Sequence, residues 1–195
     1  MSTACFTGRR PKDLQSYELR YNRDAYVPVV EYTKQVCRVI HEKYDVCNFI
    51  SGGAQGFDQL AFWAVNSLKK QGLTVKNIVY VPFKGQENAW QGTGLFSPKQ
   101  YRLMLSLADE VVYCAETPTS FTKSVITPLL HGRNHKMVDV SNYVVGLFPD
   151  SSWYQAKRGG TAECLNYAYE NGKVIFQIQY EGYLQNLNTV SYQKR

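Results

Sequence analysis

No run of ~18 apolar residues, the length that a membrane-spanning helix needs, occurs in the 195-residue sequence. The opening stretch, MSTACFTGRRP, holds an apolar run far too short for a secretory signal, so the sequence predicts a cytoplasmic protein with no membrane partner. Also missing are a proline- or glycine-rich linker, an internal repeat and a low-complexity tract, which predicts one domain over residues 1–180 and a tail over 181–195. Histidine is scarce: His41, His131 and His135 form no H-E-x-x-H or other metal-binding spacing. Cys5, Cys37, Cys47, Cys114 and Cys164 are odd in number, scattered singly and without a C-x-x-C pair, a pattern of buried reduced thiols. No metal site and no resident cofactor are expected.

Charge of one sign is present but not concentrated. The net charge of +6 suits an anionic partner, yet Lys and Arg are dispersed in pairs such as Arg9-Arg10 and Lys69-Lys70. Single-stranded nucleic acid calls for a continuous cationic groove with stacking aromatics. A small anion is therefore favoured over a polymer. Hydrophobic residues at 44% and charged residues at 19% are typical of a globular domain able to bury a full core.

What is there alternates. Strands are expected at residues 2–6, VCNFI, KNIVYVPF, EVVYCA, YVVGLFP and KVIFQI. Helices are expected at 27–44, 58–70 (closed by Gly72), Pro98–Ala108 and 160–170. This order predicts an α/β fold: a Rossmann-like open, mainly parallel sheet with helices on both faces. Ligands of such sheets bind outside the carboxyl ends of the strands, where strand order reverses. The turns that follow the strands therefore carry the functional expectations. The tail, YEGYLQNLNTVSYQKR, has no clear period and reads either as disordered or as a sheet edge.

Two glycine turns stand on that edge. In ISGGAQGFDQLA, Ser51, Gly52, Gly53, Ala54, Gly56 and Asp58 lead from a strand into a helix, where free backbone N–H groups suit an anionic oxygen; the alternative is a tight turn with Asp58 as its cap. The spacing matches neither G-x-G-x-x-G nor G-x-x-x-x-G-K-[ST], and no lysine follows to grip terminal phosphates. Arg158, Gly159, Gly160, Thr161, Ala162 and Glu163 repeat the arrangement before a later helix. Gly8, Arg9 and Arg10 follow the first strand, where guanidinium groups can clamp a phosphate. The segment Gly132–Asp139 reads as a polar loop that offers Arg133, Asn134 and Asp139. Trp90, Phe96 and Tyr101 admit two readings, a wall against a nucleobase or core packing.

CFTGRRP, ISGGAQGFDQLA, VPFKGQENAW, RNHKMVDVSNYVVGLF and RGGTAECLNYA occur in the order and at about the spacing of the YpsA-like group of the SLOG superfamily, which this sequence resembles from Ala4 to Ile178. DprA/Smf proteins and the Lonely-guy phosphoribohydrolases belong to the same superfamily. The resemblance implies a Rossmann-like fold whose glycine turns face a nucleotide-derived ligand; relatives in bacterial defence sense NAD-derived or ADP-ribose-like signals. Two departures matter. Arg9 stands where the group usually has histidine. The Lonely-guy P-G-G-x-G-T-x-x-E pattern places its glutamate at Cys164, with Glu163 one residue early and no leading proline. On a helix that shift turns a carboxylate by ~100°.

The expected function is accordingly capture of a nucleotide or an NAD/ADP-ribose-derived small molecule, for sensing or sequestration, rather than catalysis. The alternatives are nucleotide N-glycosidic cleavage, with Arg133, Glu163 and Asp58 as catalytic candidates, and DprA-like binding of single-stranded nucleic acid. A homo-oligomer is left open.

Overall fold

In the computed structural model, residues 1–90, 94–156 and 159–194 are described. Seven strands form one sheet in the order β4-β3-β2-β1-β5-β6-β7. β1 (Ser2–Gly8), β2 (Val46–Ser51), β3 (Lys76–Val81), β4 (Glu110–Tyr113), β5 (Tyr143–Leu147) and β6 (Val174–Glu181) pair in parallel, and β7 (Gln185–Tyr192) runs antiparallel to β6. The fold is thus the expected Rossmann-like open α/β sheet. From β1 the chain steps outward to β4, then returns to lay β5 on the other side of β1. The strand order therefore reverses between β1 and β5.

Side-chain alternation along buried strands sorts the core into two faces. Ala4, Phe6, Phe49, Val145 and Leu147 pack on one face with α2 (Val27–Tyr44) and α3 (Phe57–Lys70), through Val29, Val36, Leu60 and Val65. Cys5, Ile50, Val144 and Ile175 face the other way, against Met137 and Val138 of α5 (Lys123–Asp139) and Leu165 of α6 (Gly160–Glu170). A smaller cluster of Phe62, Val79, Val81, Tyr101 and Met104 seats α4 (Pro98–Leu107), which is capped by Ser97 accepting from the Gln100 N–H at 3.3 Å. The first helix, α1, is one turn long (Pro11–Leu14).

One sequence expectation is corrected. Residues 132–139 are not a loop but the carboxyl half of α5. Pro128 and Gly132 interrupt the sequence signal, and burial of Arg133, Asn134, Met137 and Val138 against the sheet and α6 overrides it. Of the two readings left open for the tail, the sheet edge is the one formed: Gln185–Tyr192 is β7, with Ile175 opposite Tyr192 and Gln177 opposite Val190.

A buried amide holds the segment after β5. Gln177 accepts from the Trp153 indole N–H at 2.7 Å and donates to the carbonyls of Phe148 (3.0 Å) and Asp150 (2.7 Å). Gln177→Leu would leave the buried Trp153 indole N–H and the Phe148 carbonyl without these partners. The expected loss is about 2–4 kcal/mol, from the cost of unsatisfied buried polar groups, read as a lower denaturation midpoint with an unchanged slope.

Candidate functional site

A cleft of about 380 Å³ opens where β1 and β5 end. Its floor is Thr7 and Gly8; its walls are the Arg9–Arg10 turn with Lys12 and Asp13 of α1, Ala54 and Asp58 at the start of α3, Leu130, His131, Arg133 and Asn134 of α5, Phe148 after β5, and Gly159–Ala162 at the start of α6. This is the position where open α/β sheets bind ligands. Four cations, Arg9, Arg10, Lys12 and Arg133, face two carboxylates, Asp13 and Asp58. A larger cavity, about 720 Å³, lies between α2, α3 and α4 against Val30, Leu60, Trp63 and Leu103, away from the switch point between β1 and β5.

The first glycine turn is filled by the protein itself. A Cβ on Gly52 would fall inside the Arg133 guanidinium and 2.6 Å from Asp58 Oδ2. A Cβ on Gly53 would point away from the cleft, 3.0 Å from the Tyr101 ring and 3.2 Å from Met104 Cε, so a side chain at this position probes core packing and not ligand space. Gly56, at φ 101°, lets the Arg9 carbonyl come close enough to accept from the Phe57 N–H at 3.2 Å. Asp58 Oδ2 accepts from the Ala54 N–H and from Arg133 Nη1, each at 3.3 Å, so the carboxylate and guanidinium already answer one another.

The second turn is open. Gly159 and Gly160 would carry a Cβ into empty space, and no side chain caps α6. The free N–H groups at the start of α6 therefore face the cleft without a side-chain cap, with Glu163 the acidic residue of the first turn. Asn134 donates to the Gly160 carbonyl at 3.4 Å and fixes this terminus to α5. Arg158, the first residue of the motif, lies outside the described residues.

The remaining candidates separate. Arg9 stacks its guanidinium 4.5 Å from the Phe148 ring centre, and Arg10 is held near Asp58, whose charge opposes the burial that presses the guanidinium pKa below its ordinary value. Ser51 is buried at the end of β2 and does not line the cleft. Trp90 packs edge-on to Tyr101, ring centres 4.9 Å apart, in the α4 cluster, and is likewise not part of the lining. Asp139 is exposed at the end of α5 and accepts from the Tyr167 hydroxyl at 2.9 Å. Glu163 contacts His131 and His135 instead of the cleft. Thr7, Lys12, Asp13, Leu130, His131 and Phe148 were not singled out from sequence; Leu130, His131 and Asn134 share one helical face, a signal legible only once α5 is known to be a helix. Among the described residues no group of three or more His, Cys, Asp or Glu side chains could hold a metal ion, and no helix is long and apolar enough to cross a membrane.

An open, mainly parallel sheet with a cationic cleft at its switch point defines a Rossmann-like protein of the SLOG kind. Residues 4–183 match the family model YpsA, described as the YspA SLOG family, and the chain belongs to that family. It is also similar to the uncharacterized SPbeta prophage-derived protein YoqJ of Bacillus subtilis strain 168: 35% identical over 129 residues, 62% of this chain and 68% of YoqJ.

Asp58 and Arg133 are 7% and 3% exposed. Arg133→Ala would leave the carboxylate buried and unpaired, with an expected loss of about 3–5 kcal/mol. Adding Asp58→Asn should return part of that loss in the same denaturation series. Full additivity of the two substitutions would mean that the pair does not interact.

Burial lifts the Asp58 carboxyl above its ordinary range, against the opposing pull of Arg133 and Arg10. A raised folded-state pKa means that folding takes up a proton here. The resulting stabilisation is complete below the unfolded carboxylate value, about 3.9, and is lost as pH rises through the folded value. Wild type should accordingly lose stability relative to Asp58→Asn over that interval. Thermal melts on both proteins would read it, and parallel curves would contradict it.

Proposed function

We propose that the chain is a cytoplasmic binding module for a nucleotide or an NAD- or ADP-ribose-derived small molecule, which it senses or sequesters. The observation that carries this reading is the open amino terminus of α6 facing Arg10 and Lys12 across the switch-point cleft. Backbone N–H groups, a helix dipole and guanidinium groups together suit phosphate oxygens. A volume of about 380 Å³ falls within the range for small-ligand sites. YpsA-family membership is compatible with this reading and does not by itself name the ligand.

Capture is favoured over N-glycosidic cleavage because the carboxylates that the sequence nominated for such chemistry are engaged elsewhere. Asp58 is tied to Arg133 and the Ala54 N–H, Glu163 sits between two histidines, and Cys164 is a fully buried thiol with its pKa pushed well up by desolvation. A bounded cleft lined by a single aromatic ring, Phe148, also gives a nucleic-acid strand no stacking track.

Two measurements test the reading. Small molecules released from the heat-denatured protein, identified by mass spectrometry, should include an intact phosphorylated nucleoside compound. In calorimetry with AMP and ADP-ribose, Arg10→Ala should weaken binding by about 1.5–3 kcal/mol, the range for hydrogen bonds to charged groups. Unchanged affinity in a folded Arg10→Ala protein would move the phosphate away from this wall. Multiple turnovers that release free base would replace capture by hydrolysis.

A further inference from the structure

Two imidazoles hold Glu163 behind the cleft wall. His131 and His135 stand one turn apart on α5, and the Glu163 carboxylate reaches between them from α6: Oε1 meets His135 Nε2, and Oε2 lies 3.5 Å from His131 Nδ1. That Oε2 is buried and has no hydrogen-bond partner among the described residues, which leaves the His131 N–H as the group placed to answer it. Behind this contact, the His135 ring stacks on Tyr167 at 3.8 Å with 12° between planes, and the Tyr167 hydroxyl donates to Asp139. The Tyr167 ring, held by Asp139, thus backs the His135 that holds Glu163, and His131 beside Glu163 lines the cleft.

An imidazole whose Nδ1 faces a carboxylate carries its proton there, and Nε2 becomes the acceptor. His131 makes no other polar contact among the described residues, so Nε2 is uncommitted. Of the other charged side chains that line the cleft, Arg9, Arg10, Lys12 and Arg133 are donors, and Asp13, on α1, is an acceptor carboxylate. Asp58, a possible acceptor, is already engaged. An ionised phosphate oxygen has no proton to give an acceptor nitrogen, whereas a sugar hydroxyl has one. We infer that His131 reads a sugar hydroxyl of the bound nucleotide, and that Glu163 is the positioning residue that fixes its tautomer. This rests on the nucleotide-binding reading above.

The probes are AMP, its 2′-deoxy and 3′-deoxy analogues, and ADP-ribose, measured by calorimetry. Wild type should prefer AMP to at least one deoxy analogue by about tenfold, roughly one built hydrogen bond. His131→Ala should lose that preference by weakening AMP alone, with the deoxy analogue bound as before. Glu163→Gln, which keeps the side-chain size, should erode the same ratio, while a packing defect would weaken all the probes alike. Nitrogen-15 spectra of unliganded wild type should place the His131 proton on Nδ1, and Glu163→Gln should release that preference. Equal binding of AMP and both analogues by wild type, an undiminished ratio in His131→Ala, or an Nε2-protonated His131 would overturn the inference and leave the nucleotide reading standing. Failure of wild type to bind any of the four probes would remove the nucleotide reading, and this inference with it.

Discussion

A carboxylate and a guanidinium, both stripped of water, meet 3.3 Å apart beneath the mouth of the cleft, and the arrangement of the sheet's carboxyl edge depends on that meeting. Asp58 belongs to α3 on one face of the sheet and Arg133 to α5 on the other. Their contact therefore pins the two helical layers to each other at the edge where strand order reverses. It also dictates local sequence: the guanidinium fills the space a side chain at position 52 would need. A buried ion pair of this kind adds little net stability compared with a well-packed apolar pair. What it supplies is position, because each partner is intolerant of the other's absence.

The contrast between the two glycine turns follows from the same pair. In the sequence both look like strand-to-helix anion sites. In the fold, α3 begins against its own carboxylate and the Arg133 guanidinium, so the protein's own charges occupy that terminus. α6 begins without a side-chain cap, and the carboxylate of its first turn, Glu163, is turned to His131 and His135. Sequence shows that a backbone must be approached closely but not by what, since a guanidinium from α5, an aromatic ring from α4 and a phosphate all demand glycine alike. Gly52 answers to the guanidinium, Gly53 to the Tyr101 ring and Gly56 to the Arg9 carbonyl, whereas Gly159 and Gly160 border open space among the described residues.

Legibility elsewhere followed the strength of local pattern. The parallel strands were readable because strands buried on both faces are continuous apolar runs, and α2 and α3 because one face of each repeats at helical spacing. α5 was not, since Pro128, Gly132 and the run His131–Lys136 mimic a polar loop; its helicity comes from tertiary burial of residues that are themselves polar, Arg133 and Asn134. β7 escaped for the opposite reason. It is an edge strand with one mostly exposed face, and its pairing with β6 is set by a turn at Gly182, with φ 50°, and not by an apolar stripe. Of the candidate site, the residues adjacent in chain to strand ends were legible. Those delivered by α5 in three dimensions were legible only in part: Arg133 and Asn134 were found, and His131 was not.

The distribution of charge within the cleft then orders what an occupant would meet. The uncapped amino terminus of α6 shares the cleft with Arg10 and Lys12, so an anionic group is favoured between α6 and the turn after β1. Phe148 is already covered on one side by the Arg9 guanidinium, which lowers the cost of confining that cation beside an apolar ring. The wall made by α5 offers something different: an amide committed to the Gly160 carbonyl, a guanidinium committed to Asp58, and an imidazole with one nitrogen uncommitted. An occupant that is anionic at one end and hydroxylated at the other satisfies both walls. One that is anionic throughout would leave the acceptor nitrogen facing like charge, and one that is neutral throughout would leave the α6 terminus unanswered. On the nucleotide-binding reading, the cleft would select by the sequence of polar groups along a ligand, with Asp58 and Glu163 each held by partners of their own.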